Sequence, residues 1–418
     1  MRVLMLSWEY PPVVVGGLGR HVHAIAVALV RQGHEVTVVS RHRTGAAYDE
    51  IVDGVRVLRA PEDPPAFPMS DLLAWSQALN HALLRAVLRA DLPAPDVVHA
   101  HDWLVAHAAT ALKEHFGVPL VATVHATEAG RHQGWLPGPM NKAIHTVEWW
   151  LTYEARRVLT CSSYMRWEVT RLFDLPPGKV DVVANGTDLS AFRPRPAVVR
   201  AARRRFGGDG PLLVFSGRLE WEKGLQTVLA AMPALRRRHP GIRLVVAGTG
   251  TLEAELRQRA RRHRLGRSVV FAGRLTTPDL AALLGAADVA LVPSLYEPFG
   301  LVALEAATAG TPLVVSEAGG LREVVEHGVS GLQAAPEDVR SWVAAIDRQL
   351  SDEVTARRMA RVARTRAAGS TWDAAAAATA DVYRRAADEE QRLQRSLAPR
   401  TPLRVVVRDG NLLSDADR

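Results

Sequence analysis

Two carboxylates stand eight positions apart around a Pro-Phe-Gly turn in Glu297-Pro298-Phe299-Gly300-Leu301-Val302-Ala303-Leu304-Glu305. An apolar run, Val289-Ala290-Leu291-Val292-Pro293, precedes them and reads as a strand. A helix is expected to begin near Leu301. Its first turn offers free backbone N–H groups and the positive end of a dipole, a setting for a phosphate. Glu305, about one turn in, is placed to reach a ribose hydroxyl, and Glu297, on the loop, a sugar hydroxyl. The backbone from Phe299 through Gly300, Leu301 and Val302 lies between them. One element can therefore hold both ends of a nucleotide sugar.

Other groups suit the same chemistry. Arg218 and Lys223 sit in Ser-Gly-Arg-Leu-Glu-Trp-Glu-Lys-Gly, on a strand-to-helix loop. Arg offers a fork of donors and Lys a point charge, so together they can neutralise a diphosphate leaving group. Only four lysines occur in the chain, Lys113, Lys142, Lys179 and Lys223, which makes one at this loop notable. Gly16-Gly17-Leu18-Gly19 lies between the first strand and the first helix, the position of a phosphate-cradling loop. It is not G-x-G-x-x-G, and Ser40-Arg41-His42 stands where a dinucleotide site would carry an acid. His125 ends a strand and is expected to point into a cleft or to serve as a hydrogen-bonded structural histidine. His99, His101 and Asp102 end the strand before it. His-x-His with Asp invites a metal reading, but no further ligands follow at suitable spacing. The two histidines are expected to shape the site, with Asp102 facing an acceptor.

Positioning these groups requires two sheets. Apolar runs at residues 3–7, 35–40, 97–99, 120–125 and 158–161 alternate with helical stretches, the first over residues 21–32. The alternation implies a parallel sheet covered on both faces. The pattern restarts at residues 212–216 and continues through strands at 243–247, 269–272, 288–292 and 311–316. The expected fold is α/β, with two Rossmann-like parallel-sheet domains facing across a cleft. The division is residues 1–190, a Pro- and Arg-rich linker 191–208, a second domain 209–370, a helix 371–390 crossing back to the first domain, and a tail 391–418. Residues 402–407 of the tail have strand character. Ligands in such sheets sit at the carboxyl ends of the strands.

Composition narrows the partners. The chain has 418 residues, 48% hydrophobic and 23% charged, so large cores are available and disorder is not expected in the bulk. A net charge of +8 suits anionic substrates. No nucleic-acid-reading motif accompanies it. The single cysteine, Cys161, excludes an internal disulfide and reads as a small buried residue in a cytoplasmic protein. No run of 18 apolar residues is present, so no membrane span is expected.

The loop Gly16-Gly17, His125, Arg218 with Lys223, and Glu297 with Glu305 occur in the order found in one family. Residues 1 to about 390 resemble the retaining GT-B glycosyltransferases of glycosyltransferase family 4, together with the related bacterial glycogen synthases. Ser7-Trp8-Glu9-Tyr10-Pro11-Pro12, His99-Ala100-His101-Asp102-Trp103 and His125-Ala126-Thr127-Glu128 look most like the actinobacterial α-1,4-glucosyltransferases of glycogen and methylglucose lipopolysaccharide synthesis. The resemblance implies that Gly16 and Gly17 contact the donor phosphate, Arg218 and Lys223 the diphosphate, Glu305 the ribose, and Glu297 and His125 the sugar. Gly248 and the backbone near Arg274 would border the base, and Glu9 and Asp102 the acceptor. It implies a nucleotide-glucose donor as substrate, an α-glucan acceptor, and no required metal or other cofactor. Where those synthases carry Lys-x-Gly-Gly, this chain has Val14-Val15-Gly16-Gly17, which leaves ADP- and UDP-glucose both open. Trp135, Trp149 and Trp150 are candidates for stacking on a glucan, or for core packing on a helix. The alternatives are a family-4 mannosyltransferase on a lipid or small acceptor, a sugar-nucleotide epimerase or hydrolase, and a non-catalytic nucleotide-sugar sensor.

Overall fold

The computed structural model describes residues 1–61, 67–68 and 70–397. It holds two sheets, parallel throughout except for one antiparallel edge strand in the first. From edge to edge the first runs Asp49–Val52, Val55–Ala60, Glu35–Arg41, Arg2–Leu6, Val97–His101, Leu120–Val124, Arg157–Thr160, Val180–Val182, and the second Val269–Gly273, Arg243–Ala247, Leu212–Ser216, Val289–Val292, Leu313–Ser316, Leu332–Ala334. Counted from its own first strand, the second sheet reads 3-2-1-4-5-6, the order of doubly wound nucleotide-binding sheets. Strands such as Leu120–Val124 and Val289–Val292 are buried along their whole length, because helices cover both faces.

Apart from the edge hairpin of the first, each sheet reverses its strand order once. In the first, the break lies between Arg2–Leu6 and Val97–His101, which pair in parallel. In the second it lies between Leu212–Ser216 and Val289–Val292. The loops carrying Gly16, Asp102, Arg218 and Glu297 all leave the carboxyl ends of these four strands. Topology alone therefore gathers the candidate residues.

Several elements differ from expectation. Asp49–Val52 and Val55–Ala60 form an antiparallel hairpin at the first sheet's edge, turned by Asp53 and Gly54, both at positive φ. An Asp-Gly pair suits that two-residue turn, and the exposed edge strand lacks an apolar run to announce it. The stretch 191–208, read as a linker, contains the helix Pro196–Phe206. Proline is tolerated at its first turn, and Ala202 and Phe206, four apart, bury one face while the arginines stay in water. Among the described residues, the closing helix extends to Leu397, beyond the expected 390. The strand-like residues 402–407 lie outside the described residues.

That last helix, Trp372–Leu397, packs on Gly17–Arg31 of the first domain. Tyr383 is fully buried, with its hydroxyl 2.6 Å from His99 Nδ1. Arg156 pairs with Glu390 and Arg31 with Asp373, both at 2.6 Å. The chain crosses between domains at two adjacent places, where Thr187 N–H donates to Ser370 O at 2.9 Å. One apolar cluster includes Val124 and Met165 of the first domain with Tyr296, Phe299 and Leu304 of the second.

Candidate functional site

The second domain supplies a compact charged group. Lys223 Nζ lies 2.8 Å from Glu297 Oε2, which also accepts from Ser294 Oγ at 2.9 Å. Arg218 donates to Glu222 at 2.9 Å. The Lys223 turn sits tight against the loop before Glu297: a Cβ on Gly224 would meet Pro293 O at 1.8 Å, and φ there is +70°. Only glycine allows that approach. Gly300 (φ +110°) begins the helix Leu301–Ala309 without a side-chain cap, leaving its N-terminal N–H groups open to an anion. Phe299 is buried beneath the turn, while Leu301 and Val302 are half-exposed on the first helical turn. Gly248 follows the strand Arg243–Ala247 on the same edge.

Glu305 lies inside that helix and is nearly fully buried. Burial pushes its carboxyl above the usual range, and Arg20 opposes the shift. Arg20 Nη1 reaches it across the cleft at 2.6 Å, and Oε2 has no protein partner. Arg20 was not foreseen. Its signal was a cation in the first turn of a helix, where the dipole disfavours positive charge and an acidic partner is needed.

The glycine loop lies against this helix, with a Cβ on Gly17 3.4 Å from Leu301 Cδ1. Glu9, expected to face an acceptor, is buried and accepts from the N–H groups of Val15 and Gly16 at 2.8 and 3.0 Å. It shapes the loop from within, and the Gly16 N–H is thereby engaged. Arg274 donates to Val14 O at 2.9 Å, a further bridge between domains. A cavity of about 1120 Å³ opens beside that bridge, lined by Val14, Arg41, Arg43, Tyr48 and Arg274 among others. It adjoins the glycine loop, not the Lys223–Glu297 pair, and belongs to the outer rim of the cleft.

The first domain's floor is a histidine cluster. His125 follows the strand Leu120–Val124, and its backbone N–H donates to Asp102 Oδ1 at 2.7 Å. Asp102 (φ +63°) thus holds the His125 backbone instead of reaching outward. Burial raises its carboxyl to about 7, against the pull of the His125 and Ala126 N–H groups. His101 Nδ1 lies 3.1 Å from His125 Nε2, and His21 Nδ1 lies 2.9 Å from Asn185 Oδ1. His99 is spent on Tyr383 and on Thr123, 2.7 Å away. Burial pushes all four imidazoles below their usual range, His125 to about 3, so they are neutral at pH 7.

Tyr296, next to Glu297, was also missed. Its hydroxyl donates to Glu168 Oε1 at 2.8 Å and accepts from Thr127 N–H at 3.1 Å, tying the Glu297 loop to the first domain. Ser162 donates to Pro298 O at 2.6 Å, and Glu323 accepts the N–H groups of Ser163 and Tyr164 across the same junction. Trp149 is 43% exposed and stacks on Tyr153, so it is not a core residue. Trp150 is half-buried against His107, and Trp135 is exposed. Cys161 is buried, and burial holds its thiol protonated.

Two family models divide the chain at the same place as the sheets. "Glycosyltransferase Family 4" matches residues 15–191 and "Glycosyl transferases group 1" residues 201–366. A protein named glycogen synthase from Mycobacterium tuberculosis is 48% identical over 417 residues, 96% of this chain and 98% of that one. The chain belongs to glycosyltransferase family 4. Other relatives of this glycosyltransferase include a D-inositol 3-phosphate glycosyltransferase from Frankia alni, 34% identical over 89% of this chain and 95% of that one. Among solved structures, sucrose-phosphate synthase from Thermosynechococcus elongatus superposes with a TM-score of 0.80 at 26% identity, covering 92% of this chain and 98% of that one. The fold is GT-B. Among the described residues no helix is long and apolar enough to cross a membrane.

Proposed function

We propose that this glycosyltransferase moves glucose, with retention of configuration, from ADP- or UDP-glucose to the non-reducing end of an α-1,4-glucan or methylglucose-type polysaccharide. The observation that carries this reading is the Lys223–Glu297 pair at 2.8 Å beside the uncapped N-terminus of Leu301–Ala309. The near full-length likeness to a glycogen synthase supports the choice of glucose and glucan.

In this reading the donor's diphosphate lies between Arg218, Lys223 and the helix N-terminus. Glu305 takes the ribose hydroxyls with the oxygen that lacks a protein partner. Glu297 and His125 hold the sugar, and Gly248 and Arg274 border the base. The bond from the anomeric carbon to the phosphate oxygen breaks, and the cations and helix dipole stabilise the departing charge. The acceptor hydroxyl attacks on the same face and its proton passes to the leaving phosphate oxygen. Fixed positive groups aimed at the developing charge lower the barrier without reorganising.

A second reading, transfer to a small phosphorylated acceptor, is favoured by the arginine-lined cavity beside the glycine loop and by the name of the 34%-identical relative. One assay separates them. UDP-, ADP- and GDP-linked glucose and mannose are offered with maltooligosaccharides or with sugar phosphates. Amylase-sensitive extension supports the glucan reading and names the donor. A single hexose added only to a sugar phosphate overturns it in favour of the second.

A further inference from the structure

We infer that His21, His101 and His125 form a binding site for a borderline-soft divalent cation of the Zn²⁺ class, and that its occupancy shuts the transferase. One ring nitrogen from each lies within 4.8 Å of the other two. Three imidazoles with one open position are a known zinc environment, and imidazole suits zinc, cobalt, nickel and copper. Ligands of a tetrahedral ion with Zn–N bonds of about 2.0–2.1 Å stand about 3.4 Å apart. The His101–His125 contact of 3.1 Å is already near that spacing. His21 has to close the remainder.

The chemistry of the rings agrees with the geometry. A ligating imidazole must be neutral, and burial keeps all three so. Asn185 Oδ1 can only accept, so His21 carries its proton on Nδ1 and keeps the Nε2 lone pair for a ligand. This is the outer-shell arrangement that orients metal-binding histidines. His101 is fully buried, and with Nδ1 turned to the ion its Nε2, which has no hydrogen-bond partner, carries the ring proton. The ion would take the place of the proton between His101 Nδ1 and His125 Nε2, and that proton would move to the other nitrogen of its own ring, so that both ligands stay neutral. His99 is excluded as a ligand by its bonds to Tyr383 and Thr123.

The shut-off follows from His125. It is the half-buried member of the three, where His21 and His101 are buried, and the proposed function assigns it to the donor sugar. A ring committed to a cation below the floor cannot serve the sugar above it. This half of the inference rests on that assignment, whereas the site itself does not.

The test is a titration of the metal-free full chain with Co²⁺, followed by visible absorption, with Zn²⁺ as competitor. The expected result is one equivalent bound with the intense bands of a tetrahedral ion, displaced by Zn²⁺ and lost in His21→Gln. Asn185→Ala should weaken binding by about 10–100-fold. X-ray absorption of the wild-type zinc form, which needs no variant to fold, should count three imidazoles. Absence of the bands, their persistence in His21→Gln, or a zinc shell without imidazoles overturns the site. Unchanged sugar transfer by fully loaded wild type overturns the shut-off. Failure of the metal-free protein to transfer glucose defeats the proposed function instead, and the absorption titration still decides the site.

Discussion

Arg20 Nη1 lies 2.6 Å from Glu305 Oε1, joining the first helix of one domain to the helix Leu301–Ala309 of the other. Burial raises the Glu305 carboxyl and Arg20 lowers it. Removing Arg20 therefore lets Glu305 take up a proton at higher pH. In Arg20→Met the donor KM should rise as pH is lowered from 8 to 6, more steeply than in wild type. Glu305→Gln should raise donor KM about tenfold or more at every pH, the worth of a hydrogen bond to a charged group. Steady-state kinetics across pH checks both, and identical pH profiles for wild type and Arg20→Met would contradict the coupling.

Lys223→Ala and Arg218→Ala should each lower kcat by about 10²–10³, the loss typical of removing one group that stabilises developing negative charge. Their effect on Tm should be small, since each cation lies on a loop and makes one ion pair. Turnover and thermal unfolding of the same preparations distinguish a lost catalytic charge from a lost fold.

Gly130 and Tyr296 are packed so closely that a Cβ on Gly130 would meet the tyrosine ring at 2.5 Å. Gly130→Ala should destabilise the protein by about 1–3 kcal/mol through overpacking. It should also reduce turnover by moving the loop that carries Glu297. Tyr296→Phe keeps the ring and removes the bond to Glu168, so it should cost stability and shift the loop less. Denaturant unfolding and kcat for the two variants check the ordering.

Four buried histidines make the fold acid-labile. His21, His99, His101 and His125 all have folded pKa values below the ordinary 6.5. The unfolded chain then binds more protons than the native one once pH falls below about 6.5, and stability drops with pH. Asp102 acts oppositely: its carboxyl is raised from 3.8 to about 7, so its contribution weakens as pH rises through that window. Glu148 and Glu305 are raised as well and act with Asp102, but His34, His107 and His145 join the four lowered imidazoles, so seven groups outweigh three. Tm should fall steadily from pH 7 to pH 5 and unfolding should take up protons. A Tm independent of pH over that range would contradict the buried cluster.

The second sheet was readable almost strand by strand, with residues 212–216 and 243–247 placed to the residue. Buried parallel strands are continuous apolar runs, and such runs are conspicuous. The hairpin strand Asp49–Val52 is exposed on an edge and mixes acids with apolar residues, so its pairing partner defines it more than its composition does. The helix Pro196–Phe206 hid behind a count of arginines because only two of its residues are buried.

The same contrast runs through the site. The sequence determined the two-sheet architecture and the local groups: the glycine loop, the cations at 218 and 223, and the two glutamates, each fixed by spacing along a single loop or helix. It could not pair Arg20 with Glu305, Tyr296 with Glu168, or His21 with His101 and His125, nor turn Glu9 inward to the glycine loop. Those partners stand up to 285 positions apart. Local periodicity carries information over a few turns of chain, whereas the register between domains is set by packing of whole surfaces. Only the folded structure decided which charges meet across the cleft and which histidines gather beneath it.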